Sequence, residues 1–269
     1  MTILLQISDL HFGTEQAPVL QALTALAHHH RPDLLLLSGD ITQRARAEQF
    51  RRARAFVDQL GIPFLAIAGN HDIPLFNLGT RILHPYAQFS AAFGDNLEPE
   101  HESPELLVLG VNTTRWYRHK NGEVSPAQIK RIADRLADAG PRQLRVVMVH
   151  QPVAVQRIEE AHNLLRGRAE ALQSWAEAGA DLVLGGHIHL PYVLALADLK
   201  RPMWAVQAGT AVSSRVRAGS PNSVNLLRWG GSAPAGRCLI ERWDFSATTH
   251  AFACQNVTDV QPDRTIKTG

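Results

Sequence analysis

Residues 1–12 read MTILLQISDLHF, an apolar run from Ile3 to Ile7 that ends at Ser8 and is followed at once by Asp9 and His11. A short run of this kind, rich in leucine and isoleucine and bounded by polar residues, reads as a buried strand. The side chains able to do chemistry stand just past its carboxyl end. The same unit recurs down the chain: Leu34–Leu37 runs into SGDI with Asp40, Phe64–Ala68 into GNHD with Asn70, His71 and Asp72, Leu144–Val149 into VHQP with His150, and Leu182–Leu184 into GGHIH with His187 and His189. Leu106–Val111 and Met203–Val206 are two further strands of the same type.

Amphipathic stretches of helical length separate these strands: Pro18–His30, Ala45–Leu60 stopped by Gly61, Pro126–Ala139 stopped by Gly140, and Arg168–Ala178 stopped by Gly179. Ser125, Pro126 and Gln128 form the start signal of the third, a capping residue, a first-turn proline and a capping-box partner. Alternating strands and helices predict an α/β architecture, in which loops at the carboxyl ends of the strands line one crevice. After Gly209 the pattern changes to Ser223–Trp229, Gly236–Asp244 and Thr249–Val257, separated by turn residues, which predicts strands joined by hairpins that extend a sheet. The expected organisation is one domain over residues 1–258, with a hairpin region from about 210 to 258 and a flexible tail over 259–269.

At 269 residues the chain can bury a large core, and 27 basic against 25 acidic side chains give no electrostatic case for binding long nucleic acid. The first residues show no basic leader, and no apolar stretch approaches ~18 residues, so no integral membrane segment and a cytoplasmic location are expected. Cys238 and Cys254 lie symmetrically about Ser246, which makes a cross-strand bridge conceivable, but two buried free thiols are the preferred reading. His28, His29 and His30 end a helix, where imidazoles meet the negative end of the helix dipole, and are not read as ligands.

Asp9, His11, Asp40, Asn70, His150, His187 and His189 form a nitrogen and oxygen donor set without thiolate, suited to Mn, Fe, Zn or Co. Seven donors exceed the needs of one ion. If Asp40 bridges, Asp9, His11 and His189 complete one site while Asn70, His150 and His187 complete another.

The order D-x-H, G-D, G-N-H-D, a lone strand-end histidine and G-H-x-H, from Asp9 to His189, resembles the signature of the calcineurin-like metallophosphoesterases. The resemblance implies a four-layer sandwich of two mixed β-sheets flanked by helices, and two divalent or trivalent metal ions, Mn or Fe foremost. The activity it implies is phosphodiester hydrolysis by a metal-bound hydroxide. Gln151 replaces a second histidine that many relatives carry. Within the family, NTTRWYRHKNGEVSPAQ and AGTAVSSRVRAGSPNSVNLL most resemble the bacterial class III cyclic-nucleotide phosphodiesterases, which makes a 3',5'-cyclic nucleotide the expected substrate.

His71 directly follows a ligand and is read as the group that protonates the leaving oxygen, with Asp72 orienting it. Arg115, Trp116 and Tyr117 offer a platform for a base and a phosphate, and Arg215 and Arg217 can reach the substrate from the C-terminal segment. Other readings of the same motifs are a UDP-diacylglucosamine pyrophosphohydrolase, a glycerophosphodiesterase, a nuclease, or a non-catalytic scaffold resembling the retromer subunit of this fold. The expected partner is a small phosphodiester, and a homodimer is left open.

Overall fold

A computed structural model describes residues 1–75, 78–230 and 236–263. Strand β1 (Thr2–Ile7) lies between β2 (Leu34–Ser38), to which it is parallel, and β10 (Ser223–Trp229), to which it is antiparallel. β3 (Phe64–Ile67) continues the sheet in parallel beyond β2, while β11 (Cys238–Ser246) and β12 (Ala251–Val260) continue it as an antiparallel hairpin beyond β10. The second six-stranded sheet runs β4 (Glu100–Ser103), β5 (Leu106–Gly110), β6 (Leu144–Met148), β7 (Leu182–Gly185), β9 (Trp204–Gln207), β8 (Tyr192–Ala195).

Side-chain alternation along the strands stacks the layers. Leu4 of β1 and Leu34 and Leu36 of β2 face Val108, Val146, Met148 and Leu184 of the other sheet. Their neighbours Leu5, Ile7, Leu35 and Leu37 face the helices α1 (Ala17–His30) and α2 (Ala47–Leu60). On the far side, Leu107, Leu109, Val147 and Val183 pack on α5 (Pro126–Ala137) and α6 (Arg168–Ala178). The result is helix, sheet, sheet, helix, with β2 buried along its whole length because both its faces are covered. The expected two-sheet sandwich is thus the architecture observed.

Pro18 sits in the first turn of α1, and Ser125 and Gln128 close the capping box of α5 as read from the sequence. The short helices α3 (Leu78–Leu83) and α4 (Ala87–Phe93) and the edge strands β4 and β8 were not legible there. They are only four to seven residues long, too few for a periodic pattern to emerge.

Three expectations for the C-terminal region change. β12 runs to Val260, and Arg201 donates to the Asp263 carbonyl at 2.6 Å, so the chain is anchored past residue 259; residues 264–269 of the expected tail lie outside the described residues. Residues 231–235 of the hairpin region also lie outside them. Cys238 is buried but Cys254 is exposed, and the two are not opposite one another. The turn spans residues 247–250 and a register shift follows Arg242, so Cys238 pairs with Val260 and Cys254 with Trp243.

Candidate metal centre

The ligand-bearing turns converge because their parent strands point the same way. β1, β2 and β3 are parallel neighbours in one sheet, and β6 and β7 are parallel neighbours in the other. The two carboxyl edges are tied across the sheets: the Gln6 amide donates to the Gly185 carbonyl at 3.0 Å, and His150 Nδ1 lies 2.8 Å from the Ser38 carbonyl.

Asp9, His11, Asp40, His187 and His189 all have left-handed backbone, with φ of 51°, 45°, 49°, 75° and 58°. Each such conformation costs an L-residue roughly 1–2 kcal/mol. It persists where surrounding bonds over-determine it, which is characteristic of functional turns. Here the Asp9 amide donates to Gly39 O at 3.1 Å, the His11 amide to Asp40 O at 3.0 Å, and the His187 amide to the Asp9 carboxylate at 2.9 Å.

Two groups of donor atoms result. His189 Nε2 stands 3.2 Å from Asp9 Oδ1 and 3.1 Å from His11 Nε2. His150 Nε2 stands 3.3 Å from both Asp40 Oδ1 and Asn70 Oδ1, and the His187 ring centre is 5.1 Å from that of His150. Asp40 joins the groups, because its second oxygen, Oδ2, lies 3.8 Å from His11 Nε2. The donor atoms of Asp9, His11 and His189, and those of Asp40, His150 and His187, lie within 4.8 Å of one another in each set, and His71 forms a third such set with His11 and Asp40 at the seam between them.

The donors fit cations. His187 Nδ1 is buried without a hydrogen-bond partner. An unpaired polar atom there is costly, and a bound cation would accept its lone pair. His150 and His189 direct Nδ1 to the carbonyls of Ser38 and Arg215, the latter at 2.6 Å, which leaves Nε2 of each free to ligate. Protonation agrees in part. Burial works to raise the Asp9 carboxyl, but His189 and His150 overcome it and hold it at about 2; burial pushes His11 and His187 down to about 3. Burial also opposes the charge on His150, yet the Asp40 carboxylate lifts it to about 9, so cation binding at this imidazole would release a proton.

The role expected of Asp72 changes. Its carboxylate accepts from the amides of Ile41 at 3.0 Å, Thr42 at 2.8 Å and Gly69 at 2.9 Å, and from the Thr42 hydroxyl at 2.9 Å. It therefore clamps the Asp40 turn to the Asn70 turn and does not orient His71. His71 Nδ1 lies 2.9 Å from the Gln43 carbonyl, while its other ring nitrogen, Nε2, is 3.3 Å from Arg215. The side chain of a three-residue 3-10 turn, Asn70–Asp72, points back under its own backbone at the third position, a direction that spacing alone does not reveal.

Gly69 is needed at this junction, since a Cβ there would overlap the Asp40 amide nitrogen and carboxylate. Gly69→Ala is expected to cost about 1–3 kcal/mol of stability. It is also expected to lower bound metal, read by urea unfolding and by atomic emission.

The centre opens into a cavity of about 440 Å³, lined by Asp40, Asn70, His71, His187, His189 and Arg215. Arg215 is part of this lining. The Arg115, Trp116, Tyr117 platform is not. Arg115 donates to the carbonyls of Asn112 and Thr114 and to Gln128, so its guanidinium is consumed in bracing the loop. Trp116 and Tyr117 pack edge to face on each other outside the cavity lining, with the Trp116 carbonyl held by buried Arg81 at 2.6 Å. Trp116→Ala should leave KM within about twofold, as for an exposed substitution away from a site. A larger shift in steady-state kinetics would restore the platform.

Lys120, Glu160, His162, Asn163 and Arg217 also line the cavity, and all but Arg217 escaped the sequence reading. Gln151, the departure from the family pattern, accepts from Thr113 at 2.6 Å and donates to the Lys120 carbonyl at 3.3 Å, anchoring that rim.

The family model for calcineurin-like phosphoesterases matches residues 3–191. The chain belongs to this family. This calcineurin-like phosphoesterase is 39% identical over 200 residues to a Synechococcus sp. protein described as a "probable cyclic nucleotide phosphodiesterase", covering 70% of this chain and 73% of that one. It is 27% identical over 164 residues to the glycerophosphodiester phosphodiesterase GpdQ of Enterobacter lignolyticus, covering 56% and 57% of the two chains. Its fold matches the crystal structure of a dimetal phosphatase from Danio rerio with a TM-score of 0.67 at 12% identity, covering 97% of this chain and 99% of that one. Among the described residues no helix of the phosphoesterase is long and apolar enough to cross a membrane.

Proposed function

We propose that this phosphoesterase hydrolyses a small phosphodiester at a two-cation centre, with a 3',5'-cyclic nucleotide as the substrate, in line with the description of its Synechococcus relative as a "probable cyclic nucleotide phosphodiesterase". The observation that carries the reading is the pair of donor groups joined through the two oxygens of Asp40, at the floor of a cavity large enough for a compact ligand. Asp9, His11, Asp40 and His189 would hold one cation, and Asp40, Asn70, His150 and His187 the other. Mn or Fe suits this set, and Zn or Co is compatible with it. Bound there, two cations supply charge neutralisation at the phosphoryl oxygens and lower the pKa of water toward neutrality.

The chain's own residues do the rest. Asp72 holds the Asp40 and Asn70 turns in register. Arg215, whose guanidinium lies 3.1 Å from Gln43 and 3.3 Å from His71, presents positive charge to the substrate phosphate. His71, in the cavity lining with Nδ1 held by the Gln43 carbonyl and Nε2 beside Arg215, would have to carry a proton on Nε2, released from Arg215, to deliver it to the leaving oxygen.

A panel of cyclic nucleotides, glycerophosphodiesters, UDP-sugars and oligonucleotides, assayed after reconstitution with each metal, tests the proposal. Cleavage of a cyclic nucleotide with the highest kcat/KM is expected. Preference for glycerophosphodiesters would transfer the assignment to that class, which the likeness to GpdQ supports next. No cleavage of any diester with any metal would overturn the phosphodiesterase reading.

A further inference from the structure

Beside the main cavity lies a second one of about 220 Å³, lined in part by Gln156, Tyr192, Ser220 and Arg242. The two share Glu160 and Ile188. Glu160 receives a hydrogen bond from the Arg217 guanidinium, and its other oxygen accepts from Asn163 at 2.8 Å. Arg217 Nε donates to the Ile188 carbonyl at 3.1 Å, and Ile188 stands between His187 and His189. The pair therefore bridges the Ile158–Asn163 turn and the GHIH turn, with Glu160 lining both spaces and Arg217 the larger one.

A surface ion pair is ordinarily worth little. This one differs because each partner is fixed by a second bond, and the Glu160 side chain is only 14% exposed against 45% for Arg217. A carboxylate beside an anion site is also unfavourable unless it serves a purpose. Paired with Arg217, Glu160 offsets the positive charge that the guanidinium brings to the cavity lining.

We propose that the Glu160–Arg217 pair is the partition that selects compact diesters, closing the smaller cavity to the second ester arm of the substrate. The inference rests on the phosphodiester reading and narrows it. A cyclic diester carries both ester oxygens on one sugar and fits the main cavity alone. An acyclic diester with a bulky second arm must displace the pair to enter the smaller space.

The test is calorimetric binding to the metal-reconstituted protein of two slowly hydrolysed probes, adenosine 3',5'-cyclic phosphorothioate and thymidine 5'-(p-nitrophenyl phosphorothioate). In the Glu160→Ala/Arg217→Ala double variant, the ratio of affinities should shift toward the acyclic probe by about tenfold, a typical effect of opening a pocket. Glu160→Gln keeps the length of the side chain and should hold the parental ratio within about twofold. An unchanged ratio in the double variant would overturn the partition, as would Glu160→Gln shifting the ratio as far as the double variant. Because the readout is binding, a parent that binds the cyclic probe but hydrolyses no diester refutes only the catalytic assignment. Binding of neither probe by the parent refutes the partition too.

Discussion

Replacing Asp40 by alanine is expected to empty both cation positions at once and to abolish hydrolysis. Its two oxygens face different donor groups, Oδ1 toward His150 at 3.3 Å and Oδ2 toward His11 at 3.8 Å, and Oδ1 also accepts the His71 amide at 2.8 Å. Removing the carboxylate would take a ligand from each proposed cation and leave the buried imidazoles facing one another without the anion between them. Activity should fall by about 10⁴-fold or more, since the proposed cations would be what lowers the pKa of water toward neutrality. Atomic emission on purified protein checks the metal, and a coloured diester checks the rate. Two retained ions would remove the bridging role from Asp40.

The second large effect is expected at His71. His71→Ala should keep the metal content of the parent and lose kcat by about 10²–10⁴-fold, the range for removal of a general acid. His71 lies close enough to His11 and Asp40 to be a donor itself, but its two ring nitrogens already face the Gln43 carbonyl and Arg215, so the proposed cations would be held by the other donors, Asp40, Asn70, His150 and His187 among them, and metal is expected to stay. The diagnostic comparison uses diesters with good and poor leaving groups. A poor leaving oxygen needs the proton more, so the variant's defect should grow with the leaving group's pKa. Equal defects across the series, or parental activity at matched metal content, would leave His71 without a role in proton transfer. Asp72 variants should differ in kind. Loss of its clamp on Ile41, Thr42 and Gly69 should lower stability and metal content together, since the carboxylate supports the turns and not the imidazole.

Much of this centre was legible in the chain before any coordinates. The strand-forming runs that precede Asp9, Asp40, Asn70, His150 and His187 are short and apolar, and a parallel strand carries its functional turn at its carboxyl end whatever surrounds it. Long helices with clear stop signals were likewise readable, down to the Ser125–Gln128 capping box. Misreadings arose where direction mattered more than residue type. Asp72 looked like a partner of its neighbour but faces three amides, two from the Asp40 turn and one from the head of its own. Trp116 and Tyr117 looked like a stacking surface but are held aside by a loop that spends Arg115 on its own carbonyls. Cys238 and Cys254 looked symmetric until a four-residue turn and a bulge moved them out of register.

The order and chemical nature of the donors belong to the sequence itself, because side-chain type dictates what a group can bind and strand polarity dictates the end at which it appears. Which donors share a cation, where the spare nitrogen of His187 points, and which residues wall the cavity were decided only by the tertiary structure. Glu160 and Arg217 are 57 residues apart, and each meets the centre through loops whose placement depends on bonds to distant backbone, such as that from Arg217 to Ile188. Contacts of that range carry no periodic signature, so no local pattern in the chain can encode them in readable form.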